Sequence, residues 1–172
     1  LMVNPEIFSE MKPFLGGGDM IREVFLDHST YQEGEHKFEA GTPKIAEAIG
    51  WGAAIDWLSQ WDTTEIHSHS LGLARNTAER LRQIDGMKVY GSHGEKDGAV
   101  VSFLHDKIHA EDLAHMLDAY GIAVRTGHHC AQPLLRKMGL SSTNRASFYL
   151  YNTQSEVDFF IETIIELVAK FS

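Results

Sequence analysis

The sequence has a single cysteine, Cys130, among 172 residues. One thiol cannot form a disulfide within the chain, which excludes a disulfide framework and fits a reducing compartment. The sequence also lacks an apolar run of the roughly 20 residues that a membrane-spanning helix needs. Its first residues lack the basic start and apolar centre of a signal peptide. These absences predict a soluble cytoplasmic protein without a membrane partner, with an organelle stroma or matrix left open.

Positive charge is also scarce. The chain has 15 lysines and arginines against 24 aspartates and glutamates, a formal net charge of -9 at pH 7. Because no basic stripe with interleaved aromatic residues occurs, we expect no nucleic-acid partner. What is present is ordinary: 43% of the residues are hydrophobic and 23% are charged, as in globular proteins, and a chain of this length can bury a core.

The hydrophobic patterns predict a mixed α/β fold. The second half alternates between helical and strand-like spacings in the order α-β-β-α-β-β-α, which predicts an α+β domain with helices on a small, mostly antiparallel sheet. A capping box at Thr153 and Glu156 opens the last helix, which runs to about Lys170. The other predicted helices cover 65–84 and 109–120, and the predicted strands cover 87–90, 99–105, 122–124 and 145–151, with a loop at 91–98.

The first half is less regular. Asn4 and Pro5 suit the N-cap and first position of a short helix. Thr42 and Pro43 suit the same positions of a longer helix that ends near residue 58. A hydroxyl at a helix N-terminus is also a ready anion site, so Thr42 is either an ordinary cap or an anion ligand. Between these helices we predict a strand at 21–26 and an irregular polar loop at 27–36.

Cys130 follows Arg125, His128 and His129. This electropositive setting favours the thiolate, which is the reactive form of cysteine. Glycine, alanine and proline around it predict a loop without regular structure. The alternative is a buried cysteine that acts as a small hydrophobe. We predict no metal site, because adjacent residues point apart and no Cys-x-x-Cys or His-x-x-x-His is present.

Three motifs, in their order and spacing, resemble the C-terminal part of a SUF-type (group II) cysteine desulfurase. These enzymes use pyridoxal 5'-phosphate and belong to the class V aminotransferase family. The motifs are Lys37–Pro43, Arg125–Ala131 and Arg145–Thr153, and the resemblance covers essentially the whole chain. It implies a fragment of a fold type I transferase, with 1–62 as a remnant of the large cofactor-binding domain, including a dimer-contact loop. Residues 63–172 would be the small domain that carries the cysteine loop.

The resemblance also implies roles for individual residues. Cys130 would attack the sulfur of L-cysteine and hold it as a persulfide, while L-alanine leaves. Arg145 would bind the substrate carboxylate, with Arg125 and His129 in the same pocket. From the residues alone, both arginines could instead form surface ion pairs, and either His128 or His129 could be the histidine that assists. Gly41 and Thr42 would contact the phosphate of the partner subunit's cofactor in a homodimer. The sulfur would pass to an acceptor protein of the SUF system for iron-sulfur cluster assembly.

One departure limits this resemblance. The cofactor lysine, in a Ser-x-His-Lys motif, does not occur in the chain, and the Asp and His that hold the cofactor ring are also missing. The chain begins with Leu1, so we expect a fragment that cannot turn over cysteine alone. Two alternatives remain: a stand-alone persulfide relay or binding module, and a related class V enzyme that does not need the cysteine.

Overall fold

The structure is a computed structural model that describes residues 4–91, 94 and 98–171. Most of the predicted loop at 91–98 therefore lies outside the described residues. The chain divides into two compact units, Leu1–Gln60 and Trp61–Ser172. The sequence prediction set the boundary between residues 62 and 63, and its assignment of the first part to a large cofactor-binding domain remains a prediction.

The first unit contains a small hairpin and one long helix. Strands β1 (Ile21–Val24) and β2 (Ser29–Tyr31) pair antiparallel, and the helix α1 covers Ile45–Leu58. Short 3-10 helices lie at Pro5–Ile7, where Asn4 is the N-cap as predicted, and at Gly34–Phe38. The prediction of an irregular loop at 27–36 is wrong, because β2 is stabilised by backbone bonds to β1, a partner that the local composition does not reveal.

Thr42 is not the cap of α1, so that prediction is wrong. The N-cap is Lys44, and no side chain caps this helix. The N–H of Ile45 donates to the carbonyl of Pro43 at 2.9 Å, which makes a three-residue turn with Lys44 at φ -75 and ψ 69. These angles are those of an inverse γ-turn and not of a helix, so the first helical bond is accepted by Lys44.

The second unit is an antiparallel sheet with helices. Its sheet has the order β3-β4-β6-β5, and every neighbouring pair is antiparallel, which confirms the predicted fold class. The strands are β3 (Met87–Tyr90), β4 (Val100–His105), β5 (Arg125–Gly127) and β6 (Thr143–Ser147). The helices are α2 (Thr63–Leu81), α3 (Ala110–Asp118), α4 (Gln132–Lys137) and α5 (Gln154–Ala169).

The core of the second unit lies between one face of this sheet and the helices α2, α3 and α5. Phe103 of β4 and Phe160 of α5 meet edge to face there, with ring centroids 5.8 Å apart. The capping box at Thr153 and Glu156 is present as predicted. In the described part of the chain, no helix has the length and apolar character to cross a membrane.

Three boundaries near the cysteine differ from the prediction. The strand predicted at 122–124 is β5 at 125–127, because the N–H of Ile122 still bonds to Leu117 and closes the end of α3. Helix α4 was not predicted, since Pro133 was taken as a breaker; it lies in the first turn, where its missing N–H costs no hydrogen bond. The strand predicted at 145–151 ends at Ser147, and a turn follows in which the N–H of Tyr149 donates to Oδ1 of Asn152.

Candidate active site

The pairing of β5 with β6 brings the two predicted arginines together. Arg125 lies opposite Arg145, Thr126 opposite Asn144, and Gly127 opposite Thr143. Side chains alternate along a strand, so the arginines and Thr143 share one face of the sheet. Ala146, on the other face, belongs to the core. The arginine face is therefore the one turned away from the core.

Two like charges directly opposite each other destabilise a strand pair. Neither Arg125 nor Arg145 forms a salt bridge with any residue of the described ranges. Nη2 of Arg125 donates to Sγ of Cys130 at 3.9 Å. Nε of Arg145 is buried without a hydrogen-bond partner among the described residues. The pair thus offers two guanidinium groups, on one face, to an anion.

The cysteine loop joins β5 to α4 and has an unusual backbone. His129 (φ 53) and Cys130 (φ 58) both adopt the left-handed conformation, which costs on the order of 1–3 kcal/mol for each residue other than glycine. His128 stabilises the turn, because its Nδ1 accepts from the N–H of Cys130 at 3.1 Å and its carbonyl accepts from Ala131 at 2.9 Å. Cys130 is consequently exposed, which contradicts the interpretation as a buried hydrophobe.

His129 is held by β6. Its Nε2 lies 3.0 Å from both the carbonyl oxygen and Oγ1 of Thr143. Burial lowers the pKa of His129 below its ordinary 6.5. The bond to the Thr143 backbone raises this pKa, whereas the nearby positive charges of Arg145, Arg125 and His128 lower it further. The ring is therefore neutral near pH 7. Its Nδ1 is buried and has no hydrogen-bond partner in the described part of the chain.

A cavity of about 220 Å³ borders the loop on the arginine face. His128, His129, Thr143 and Arg145 line it, and Leu134, Leu135 and Met138 form an apolar wall at α4. Such a mixture of apolar walls and few polar groups is typical of sites for small molecules.

Tyr90 and Ser102 also line this cavity, and the sequence analysis missed both. Ser102 lies opposite Tyr90 on one side and opposite Arg145 on the other, so a polar row crosses the sheet. Burial raises the pKa of Tyr90 above 10.0, so its hydroxyl remains protonated and can donate a hydrogen bond. The alternation of side chains along each strand could have indicated which residues share a face of the sheet. It does not reveal which strands are neighbours, so it could not place these two residues beside Arg145.

Gly41 and Thr42 belong to the first unit. Gly41 has φ 87, and its N–H donates to the carbonyl of Gly18 at 2.9 Å. Thr42 is exposed. Their role toward a cofactor phosphate remains a prediction. A search of the described residues finds no group of three or more His, Cys, Asp or Glu side chains that is arranged to hold a metal ion.

Comparison with known proteins shows which family this chain resembles. The model of the Aminotransferase class-V family matches residues 1–160. A probable cysteine desulfurase of Synechocystis is 46% identical over 170 residues, which are 97% of this chain and 40% of that protein. A cysteine desulfurase of Haloferax volcanii is 43% identical over 159 residues, 92% of this chain and 37% of that protein. The chain thus spans about two fifths of the length of these relatives.

Solved structures agree with the sequence comparisons. The cysteine desulfurase CsdA (S-sulfonic acid) from Escherichia coli superposes with a TM-score of 0.86 at 37% identity, over 96% of this chain and 41% of that one. The apo cysteine desulfurase of Thermococcus onnurineus gives a TM-score of 0.87 at 38% identity, over 98% of this chain and 42% of that one. The chain, with its cysteine loop, its arginine pair and its small antiparallel sheet, therefore belongs to the class-V aminotransferase family.

Proposed function

We propose that this chain supplies the nucleophile and the substrate-carboxylate site of a cysteine desulfurase. The reaction converts L-cysteine to L-alanine and leaves the sulfur on Cys130 as a persulfide. The observation that carries the proposal is the exposed left-handed position of Cys130, with Nη2 of Arg125 at 3.9 Å from its Sγ. The thiolate is the nucleophilic form of cysteine, and Arg125 places a cation beside this sulfur.

Arg145 orients the substrate. Its planar guanidinium is suited to a bidentate grip on a carboxylate, and its Nε has no other partner among the described residues. It lies in the row with Ser102 and Tyr90, whose hydroxyls border the same cavity. An amino acid bound by its carboxylate at Arg145 would extend toward the cysteine loop.

The sulfur transfer conserves atoms and charge when one proton moves from the substrate thiol to the substrate carbon. The thiolate of Cys130 donates an electron pair to the substrate sulfur, and an S–S bond forms. The Cβ–S bond of the substrate breaks, and its electron pair stays with carbon. The proton that the substrate thiol loses balances the proton that this carbon gains, so L-alanine leaves and a persulfide anion remains on Cys130.

The class V family uses pyridoxal 5'-phosphate, which when bound supplies the electron sink for this bond cleavage. Gly41 and Thr42 are suited to the phosphate end of this cofactor. Thr42 does not cap α1 and is exposed, so its hydroxyl is available beside the Gly41 turn. No lysine is among the described residues that line the cavity near Cys130, and we propose that the lysine for covalent attachment belongs to another part of the complete protein.

The proposal extends to partners. In a homodimer, Gly41 and Thr42 of one subunit would bind the phosphate of the cofactor that the other subunit holds. A sulfur-acceptor protein of the SUF system would then collect the persulfide from Cys130, which its exposure favours. The cytoplasmic location expected from the composition belongs to the same proposal.

Mass spectrometry of the complete protein tests this function. After incubation with pyridoxal 5'-phosphate and L-cysteine, we expect one added sulfur atom on the peptide that contains Cys130, and release of alanine. Cys130→Ser should abolish both, whereas the 172-residue chain alone should release no alanine. Undiminished alanine release by Cys130→Ser would contradict the proposal. Sulfur that reaches Cys130 only from a persulfide donor would support a relay module instead.

A further inference from the structure

The two histidines of the cysteine loop are held in different ways. Nδ1 of His128 accepts the N–H of Cys130 at 3.1 Å, so the lone pair of this nitrogen is used within the turn. His129 uses its other nitrogen: Nε2 lies 3.0 Å from the carbonyl oxygen of Thr143 and 3.0 Å from Oγ1 of the same residue. The structure thus separates a histidine that shapes the loop from one that is anchored to the sheet.

The contact with Thr143 decides the tautomer of His129. A carbonyl oxygen carries no proton and can only accept, so Nε2 must be the donor. A neutral imidazole has one N–H, and burial keeps this ring neutral by lowering the pKa of His129. Nδ1 is therefore the bare nitrogen of the ring, a hydrogen-bond acceptor. It is buried, and it has no hydrogen-bond partner among the described residues.

Thr143 is suited to hold the ring because it is itself immobilised. It is 2% exposed and pairs with Gly127 at the end of the β5–β6 ladder. It lies two residues before Arg145, on the same face of β6, so one strand positions both the imidazole and the guanidinium. Both side chains line the 220 Å³ cavity.

We propose that Thr143 is a positioning residue that holds His129 as its Nε2–H tautomer, so that Nδ1 accepts an N–H or S–H of the amino-acid thiol whose carboxylate binds Arg145. This inference rests on the function proposed above and assigns the accepting role to His129 and not to His128. A ligand with both a carboxylate and a hydrogen-bond donor satisfies two buried atoms that the described residues leave without partners.

Nitrogen NMR of the 172-residue chain with labelled histidine tests the tautomer without any turnover. His129→Asn identifies the ring signals, and asparagine tolerates the left-handed backbone at this position. We expect a protonated Nε2 and an unprotonated Nδ1 near pH 7. In Thr143→Val, which loses the hydroxyl but keeps the backbone carbonyl that accepts from Nε2, the Nε2–H tautomer should persist, and Thr143→Ser should give the wild-type signals.

A protonated Nδ1 in the wild-type chain would overturn the inference. Appearance of the Nδ1–H tautomer in Thr143→Val would also overturn it, because the backbone carbonyl that fixes the tautomer is still present in that variant. In the complete protein, Thr143→Val should raise KM for L-cysteine more than it lowers kcat, and should add nothing to His129→Asn, because Thr143 acts through that ring. Additive effects would contradict this. Absence of a persulfide on Cys130 in the wild type would overturn the proposed function while the tautomer result stood.

Discussion

At the scale of single residues, the site combines strained and unsatisfied groups. His129 and Cys130 are left-handed, two arginines face each other across a strand pair, and Nε of Arg145 and Nδ1 of His129 are buried without partners among the described residues. A fold retains such costs where a ligand or a reaction compensates them. The concentration of these features around one cysteine is the physical argument that this loop is the functional centre.

Protonation of His129 should make the chain less stable in mild acid. Its pKa in the folded chain lies below 6.5 because the ring is buried, so the unfolded chain takes up a proton first as the pH falls through 6.5. The free energy of unfolding then decreases until the folded-state pKa is passed. The contribution of this group is thus fully present above 6.5 and lost below it.

Urea unfolding of the wild-type chain and His129→Asn at about pH 7.5 and about pH 5 measures this contribution. The asparagine variant should lose less stability between the two pH values than the wild type, because the remaining histidines titrate in both proteins. Equal losses would show that the folded chain protonates His129 as readily as the unfolded one.

Asn144 presents a different case on the opposite face of β6. It is fully buried, and neither Oδ1 nor Nδ2 has a hydrogen-bond partner in the described residues. A buried unsatisfied polar group costs about 1–3 kcal/mol. Asn144→Leu, of similar size, should therefore raise the free energy of unfolding by about 1–3 kcal/mol, measured by urea denaturation. Thr126→Val, at the facing position with an equally unpartnered hydroxyl, is the companion variant, and a loss of stability in both would indicate a bound water between them.

At the scale of elements, α1 stands apart from the other helices. It has apolar residues on all sides and only two charged residues, Glu47 and Asp56, yet none of its residues is buried. Five of its large side chains are well exposed, namely Ile45, Ile49, Trp51, Ile55 and Trp57. A helix that is hydrophobic on all sides normally lies inside a larger body, and a large exposed apolar patch promotes association.

The chain should therefore bind a hydrophobic dye through α1 and associate with itself. Ile49→Glu, which places a charge on a residue that is 70% exposed, should lower dye fluorescence and light scattering. Ile165→Glu is the matched control, since Ile165 on α5 is also exposed, at 52%. If both variants lowered dye binding equally, the effect would not belong to α1.

At the scale of the whole molecule, the two units differ in how much they bury. The hydrophobic core cluster lies entirely in the second unit, whereas Met20 is the buried hydrophobic residue of the first unit in the described ranges. Burial of apolar surface is the main source of folding free energy. The stability of the chain therefore resides in Trp61–Ser172.

A fragment that contains residues 61–172 alone should fold and unfold cooperatively, with a thermal midpoint within a few degrees of that of the whole chain, since it keeps the whole hydrophobic core cluster. Calorimetry and circular dichroism measure both properties. A fragment without a cooperative transition would show that the first unit contributes to the same folding unit.

The sequence by itself determined the features that arise from local bonds. The capping box of α5, the extent of α3 and the antiparallel α+β class were predicted because caps and helical hydrogen bonds join residues close along the chain. The three motifs, in their order and spacing, also indicated the family. In contrast, the start of α1, the presence of α4 and the bounds of β5 and β6 were missed, because each depends on a backbone bond that composition does not encode.

Tertiary structure alone decided how the site is assembled. Strand register brings Arg125 opposite Arg145, adds Tyr90 and Ser102 to the cavity, and places Thr143 where it holds His129. Thr143 follows His129 by 14 residues, and no pattern in the sequence joins them. Register is set by pairing between distant segments, and a shift of one residue would turn every side chain of β6 to the other face. The chemical groups were therefore readable from the sequence, whereas their geometry was not.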